Sequence, residues 1–176
     1  MLVDPRDFDL GSTIKPHFAY VQGAALAALD TLAGQIEGAD GYVMVSPEYN
    51  HSMSPALSHQ LNHFGSSLFS YKPSVIVTCS AGQWGGVRAA LGMRGFLSEL
   101  GCLPVSAMIH VPKAQDVCAN DGSFHDGVAA GEWSAYMLRA VAQLDWWAKA
   151  AQQQRGIADS PLPDAFIRDP SQRNRP

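Results

Sequence analysis

A chain of 176 residues, 47% of them hydrophobic and 16% charged, carries enough apolar surface for one domain that buries roughly two thirds of what its unfolded form exposes, and no second domain is needed. Its net charge of −4 gives no basic footprint for nucleic acid. Its apolar runs, such as 105–111, are far shorter than the ~20 residues of a membrane helix, and no basic stretch followed by an apolar signal segment opens the chain; we expect a soluble, cytoplasmic protein that handles small molecules.

In chain order, residues 21–36 place Leu or Ile at every third or fourth position and predict a helix. Residues 41–46, rich in Val and lacking in-and-out alternation, predict a strand covered on both faces. The strand breaks at Pro47-Glu48-Tyr49-Asn50, and Ser54 followed by Pro55 supplies a cap and a first-turn proline for a helix over 55–68. A second buried strand over 74–79 leads into Ser80-Ala81-Gly82-Gln83-Trp84-Gly85-Gly86, then a helix over 87–100 and a third apolar run, 103–111, interrupted by Pro104. Helix and strand alternate, which means an open parallel sheet.

Residues 113–130, with Asn120-Asp121-Gly122, form a loop long enough for a binding or contact role. A last helix over 131–154 carries Trp133, Tyr136, Leu138, Val141, Leu144 and Trp147 on one side to cover the sheet. Of the adjacent Trp146 and Trp147 only one can enter the core, because neighbours on a helix point about 100° apart. From Gly156 the composition turns to Asp, Pro, Arg and Gln, so the expected domain is 1–155, with 156–176 a flexible or oligomer-contacting tail.

Cys79, Cys102 and Cys118 are odd in number and far apart, which argues against a disulfide framework; the first two are expected as small buried residues and the third lies in a polar stretch. His51, His59 and His63 have a spacing that can ligate zinc, yet no carboxylate or cysteine completes a known pattern, and no metal is predicted.

In open α/β sheets a ligand sits beyond the carboxyl ends of the strands. Two unusual loops fall there: Pro47 fixes the exit angle of the first, and the glycines of the second permit positive φ and close approach of a flat ligand to backbone amides. A strand ending in Pro47-Glu48-Tyr49-Asn50, a helix, a strand opening after Lys72, then Ser80-x-Gly82-x-x-Gly85-Gly86-x-Arg88 resembles the NADPH-dependent FMN reductase family over residues 2–111. The resemblance implies a three-layer α/β/α flavodoxin-like sheet, FMN as cofactor, NADPH or NADH as electron donor, a small acceptor of the quinone or flavin class, and a homodimer or homotetramer. It implies that Pro47, Glu48, Tyr49 and Asn50 border the flavin ring, and that Ser80, Gly82, Gly85 and Gly86 offer backbone amides to its pyrimidine edge. It assigns no side-chain acid or base.

For single residues two roles stand side by side: Glu48 through its side chain or its backbone, Tyr49 on the ring or on another subunit, Arg88 on a nicotinamide phosphate or in solvent. The helix bearing Leu57, Leu61 and Phe64 is a candidate subunit contact. The chain departs from the family at Leu57-Ser58-His59-Gln60-Leu61-Asn62, where the family typically has Leu-Lys-Asn-Ala-Ile-Asp, and at the bulky Gln83 and Trp84. Leu2-Val3-Asp4 matches the family's second strand, so the first strand, its phosphate loop and the first helix are expected to be missing and Leu2-Val3 to have no partner beside Tyr42. The alternative from another class is a flavodoxin-like protein that binds a partner without redox chemistry.

Overall fold

The computed structural model describes residues 1–12, 15–157 and 162. Its parallel sheet is arranged around one central strand. Strands β1 (Tyr42–Pro47) and β2 (Pro73–Cys79) pair from Tyr42 opposite Ser74 to Pro47 opposite Cys79. On the other edge of β2 the third apolar run lies in two pieces, β3 (Leu103–Pro104) beside Pro73 and Ser74 and β4 (Ile109–Val111) beside Val77 to Cys79. Pro104 has no amide to donate. After the Val105 N–H reaches the Ser74 carbonyl at 2.8 Å, the chain leaves the ladder until Ile109.

Helices cover both faces. On one, α1 (Ala27–Glu37), α2 (Pro55–Asn62), the short α3 (Ser66–Phe69) and α4 (Val87–Glu99) bury Leu29, Leu32, Leu57, Leu61, Phe69, Met93 and Leu97 against Met44 and Ile76. On the other, the single turn α5 (Ala114–Val117) and the long α6 (Ala130–Arg155) bury Val117, Ala140 and Leu144 with Val75, Ile109 and Val111. The expected three layers are therefore present. At the amino end of the sheet, Lys72 Nζ donates to the Ile36 and Glu37 carbonyls at 3.2 and 2.7 Å and so closes the carboxyl end of α1, where a cation also suits the helix dipole.

Several boundaries differ from the sequence reading for local reasons. Helix α1 starts at Ala27 because 21–24 is a turn closed by Ala24 N–H on the Val21 carbonyl, with Gly23 at φ 76°. The helix expected over 55–68 is two, since Gly65 adopts an extended conformation between them. Leu57, Leu61 and Phe64, expected at a subunit contact, are instead buried at 9%, 4% and 4% exposure in the cluster that holds Leu10 and α1; that face is core and is not available to a partner.

Helix α6 packs chiefly on β2 and β4. Its buried stripe is consequently narrower than expected: Leu138 and Val141 face outward, and neither Trp146 nor Trp147 enters the core. Leu2 and Val3 form no strand and Leu2 is exposed. Among the described residues no strand pairs with the outer edge of β1. Of the expected tail, residues 158–161 and 163–176 lie outside the described residues. No helix among the described residues is long and apolar enough to cross a membrane.

Candidate functional site

The loop after β1 is fastened at both ends by one hydroxyl. Ser46, fully buried, donates from Oγ to the Pro47 carbonyl and accepts the Ser54 N–H, both at 2.8 Å. Glu48 N–H extends the ladder to the Cys79 carbonyl at 2.9 Å. Tyr49 and Ser52 then exchange two backbone hydrogen bonds, 2.9 and 2.8 Å, across Asn50 and His51, which sit at φ 49° and 62°. This is a two-residue turn of the type with positive φ at both central positions. Asn adopts it readily and His less so, a small backbone strain held at the rim of the site. The turn leaves the Tyr49 ring 55% exposed. Ser54 Oγ accepts the Leu57 N–H at 3.2 Å and Pro55 occupies the first turn of α2, as the sequence predicts.

The loop after β2 is tied to the end of β4. Ser80 N–H donates to the Val111 carbonyl, Lys113 N–H to Gly82, and Ala114 N–H to Ser80; Ser80 Oγ also donates to the Gly82 carbonyl at 2.9 Å. Gly85 and Gly86 have φ of 61° and 79°. A Cβ on Gly86 would lie 2.8 Å from Thr78 Cβ, and one on Gly85 3.0 Å from the Pro112 nitrogen. Both positive φ and close approach therefore demand glycine here. Gly82 has no neighbour in the space where a Cβ would point, and Trp84 stands 58% exposed beside it.

Glu48 joins the two loops. Its carboxylate, 11% exposed, accepts from Arg88 Nη1 and from the Ala89 N–H, each at 3.4 Å. Gly86 at the start of α4 has no side chain to cap the helix; Glu48 provides the missing acceptor, where the helix dipole favours negative charge. Pro47, Glu48, Tyr49 and Asn50 thus lie on one loop and Ser80, Gly82, Gly85 and Gly86 on the next, at the carboxyl ends of adjacent strands. The side chain of Glu48 faces the amino end of α4, and Arg88 is its partner.

Two residues of this assembly escape the sequence reading, Thr78 and His110. Thr78 Oγ1 lies 2.8 Å from the Gly85 carbonyl and 2.8 Å from His110 Nδ1. The available signal is weak: one hydroxyl near the end of a Val- and Ile-rich strand, and one imidazole between Ile109 and Val111. Burial holds the His110 imidazole below its ordinary pKa.

The remaining candidates are placed elsewhere. His59 and His63 approach at 3.3 Å between Nε2 atoms, and His59 Nε2 also lies 2.9 Å from the Gly11 carbonyl. His63 is buried, and burial together with His59 keeps its pKa low. Among the described residues no three His, Cys, Asp or Glu side chains gather as a metal would require. Burial pushes the Cys102 thiol up to about 12 and the Cys79 thiol upward, the opposite of an activated nucleophile. A cavity of about 540 Å³, lined by Tyr71, Pro73, Gly101, Trp147 and Arg155 among others, opens at the amino ends of the strands, away from both loops.

A parallel α/β sheet with helices on both faces and two shaped loops at the carboxyl ends of adjoining strands is the architecture of a flavodoxin-like protein. The chain belongs to the NADPH-dependent FMN reductase family, whose model matches residues 1–116. It is similar to an NADPH azoreductase of a Bacillus species, 36% identical over 73 residues that cover 42% of this chain and 41% of that protein. It is also similar to a quinone reductase of Escherichia coli, 38% identical over 74 residues that cover 40% and 39%. The chain thus spans about two fifths of these curated relatives' length. In fold it resembles the flavoenzyme NAD(P)H:(acceptor) oxidoreductase of Paracoccus denitrificans, with a TM-score of 0.58 at 22% identity over 80% of this chain and 79% of that one.

The residues present fit the ring of an FMN. The second loop is a tight glycine turn pressed onto β2 and β4, and each loop carries one exposed aromatic side chain, Tyr49 on the first and Trp84 on the second. For the phosphate the described residues show no comparable cradle: the amino end of α4 is taken by the Glu48 carboxylate and that of α2 by the Ser54 hydroxyl.

Proposed function

We propose that this chain is an FMN-using NAD(P)H oxidoreductase of the quinone or flavin reductase type, acting in the cytoplasm as a homodimer or homotetramer. FMN, when bound, supplies the redox chemistry, taking a hydride from NADPH or NADH and passing electrons to a small flat acceptor of the quinone or flavin class. The protein's part is position and electrostatics. Pro47, Glu48, Tyr49 and Asn50 border the ring, and the Ser80, Gly82, Gly85 and Gly86 backbone meets its pyrimidine edge, where fixed amide dipoles stabilise negative charge that grows on reduction. No side chain is assigned as acid or base. The names of the azoreductase and quinone reductase relatives support a small-molecule acceptor.

The observation that carries this reading is the Gly85–Gly86 turn, which close approach and positive φ restrict to glycine, beside the β1 loop at the carboxyl ends of adjacent strands. The test is to mix the purified chain with excess FMN, desalt it and record its visible spectrum. Retained yellow colour that NADPH bleaches is expected. A folded, colourless protein overturns the redox reading. It would favour non-redox partner binding, which one feature supports already: the helix amino ends beside the loops are capped by this chain's own side chains.

A further inference from the structure

We infer that Thr78 and His110 are positioning residues that fix the Gly85–Gly86 peptide with the Gly86 N–H turned away from Thr78 as a donor to the flavin; this rests on the reading of the site proposed above. The argument is one of proton counting. Thr78 Oγ1 has a single proton, and the Gly85 carbonyl, 2.8 Å away, can only accept. The hydroxyl therefore donates to Gly85. It must then accept at its other 2.8 Å contact, which makes His110 Nδ1 the protonated nitrogen. The His110 backbone N–H is in turn held by the Tyr136 hydroxyl at 2.9 Å, which anchors β4 to α6.

No peptide bond among the described residues is cis. In a trans peptide the carbonyl and the following N–H point in opposite directions. With the Gly85 carbonyl drawn onto the fully buried Thr78, the N–H of Gly86, itself buried, is turned away from Thr78, and the backbone hydrogen bonds of the described residues include none that it donates. Two successive residues at positive φ have other turn geometries within reach, because glycine visits them at little cost. The relay from His110 through Thr78 selects one of them.

The test combines a tautomer measurement with flavin titrations. Nitrogen NMR of the histidine-labelled whole chain is expected to show His110 as the Nδ1–H tautomer; an Nε2–H tautomer overturns the relay. Titrations with oxidised and reduced FMN then compare Thr78→Val and His110→Leu with Thr78→Ser and His110→Asn, which keep a hydroxyl and an N–H. Because hydrogen bonds to charged groups are worth more than neutral ones, Thr78→Val is expected to weaken oxidised FMN about 3-fold and reduced FMN about 10-fold. Thr78→Ser should restore both.

Equal losses for the two redox states, or none, would mean that Thr78 only fills space, and would overturn the proposal. Thermal midpoints of all variants ensure that folded protein is being compared. If wild-type protein takes up no FMN, the functional reading fails, and the His110 tautomer in the free chain decides the relay by itself.

Discussion

β2 is hydrogen-bonded along both edges, and none of Ser74, Val75, Ile76 and Thr78 is more than 1% exposed, whereas β1 is paired among the described residues on one edge only and alternates, with Met44 and Ser46 buried and Val43 and Val45 52% and 57% exposed. The two strands are alike in composition and differ in what reaches them. Helices α1, α2 and α4 close one face over both strands, but on the other face α6 packs chiefly on β2 and β4 and leaves Val43 and Val45 of β1 exposed. The loops inherit the contrast. The β2 loop is strapped to the end of β4 and the residues just after it by three backbone hydrogen bonds, while the β1 loop is held by Ser46, by its own tight turn and by Glu48.

The largest expected effect tests the closed face. Ile76→Ala in β2 and Met44→Ala in β1 both empty space beneath the same helices, so each should lower unfolding free energy in urea by about 2–5 kcal/mol. A Met44→Ala cost near zero would break the comparison, since it would mean that β1 is loose on both faces. Next comes Gly86→Ala, which places a Cβ against Thr78 at φ 79°. It should cost about 1–3 kcal/mol of stability and abolish FMN retention in the desalting assay.

How much of this was legible in advance follows from the same contrast. The apolar runs over 41–46 and 74–79 announce strands, and Ser54-Pro55 announces the start of α2, because period, composition and cap chemistry are local. That β1 is covered on one face only is decided by how far α6 reaches, and an apolar run carries no record of its neighbours. Leu57, Leu61 and Phe64 were misjudged for the same reason: amphipathic spacing says that a face is buried, and not against what. At the site, Pro-Glu-Tyr-Asn and the double glycine are visible as motifs. The partnership of Thr78, His110 and Gly85 joins three separate stretches of chain, and the Glu48 carboxylate reaches Ala89 across forty-one positions.

The middle predictions sharpen the picture of the loops. Glu48→Gln keeps the shape and removes the charge at the amino end of α4; it should cost about 1 kcal/mol, and Arg88→Ala less, because Arg88 is 43% exposed and its pair is partly solvated. Stability should also depend on acid. Burial holds His63 and His110 below their ordinary pKa in the fold. The unfolded chain takes up these protons near the ordinary histidine pKa of about 6.5, while the fold resists them. The contribution is therefore complete above that pH and is lost as the pH falls below it toward the folded pKa. His63→Gln should make the acid limb of a stability-against-pH curve shallower; an unchanged limb would place the titration elsewhere.

The smallest effect is the most direct test of the difference between the strands. Val45 and Val77 face each other across the β1–β2 pair, and both point to the side that α6 covers only over β2. Replacing Val45 by Thr keeps the β-branched shape and adds a hydroxyl that, at 57% exposure, water can satisfy, so stability should change by no more than about 0.5 kcal/mol. The same change at Val77, half-buried among Ile109 and the α6 cluster, puts a hydroxyl where solvent is scarce and should cost about 1–3 kcal/mol. Equal costs at the two positions in urea would show that the outer face of β1 is covered in solution. Unequal costs would show that two strands of similar composition differ on this face in how far α6 covers them.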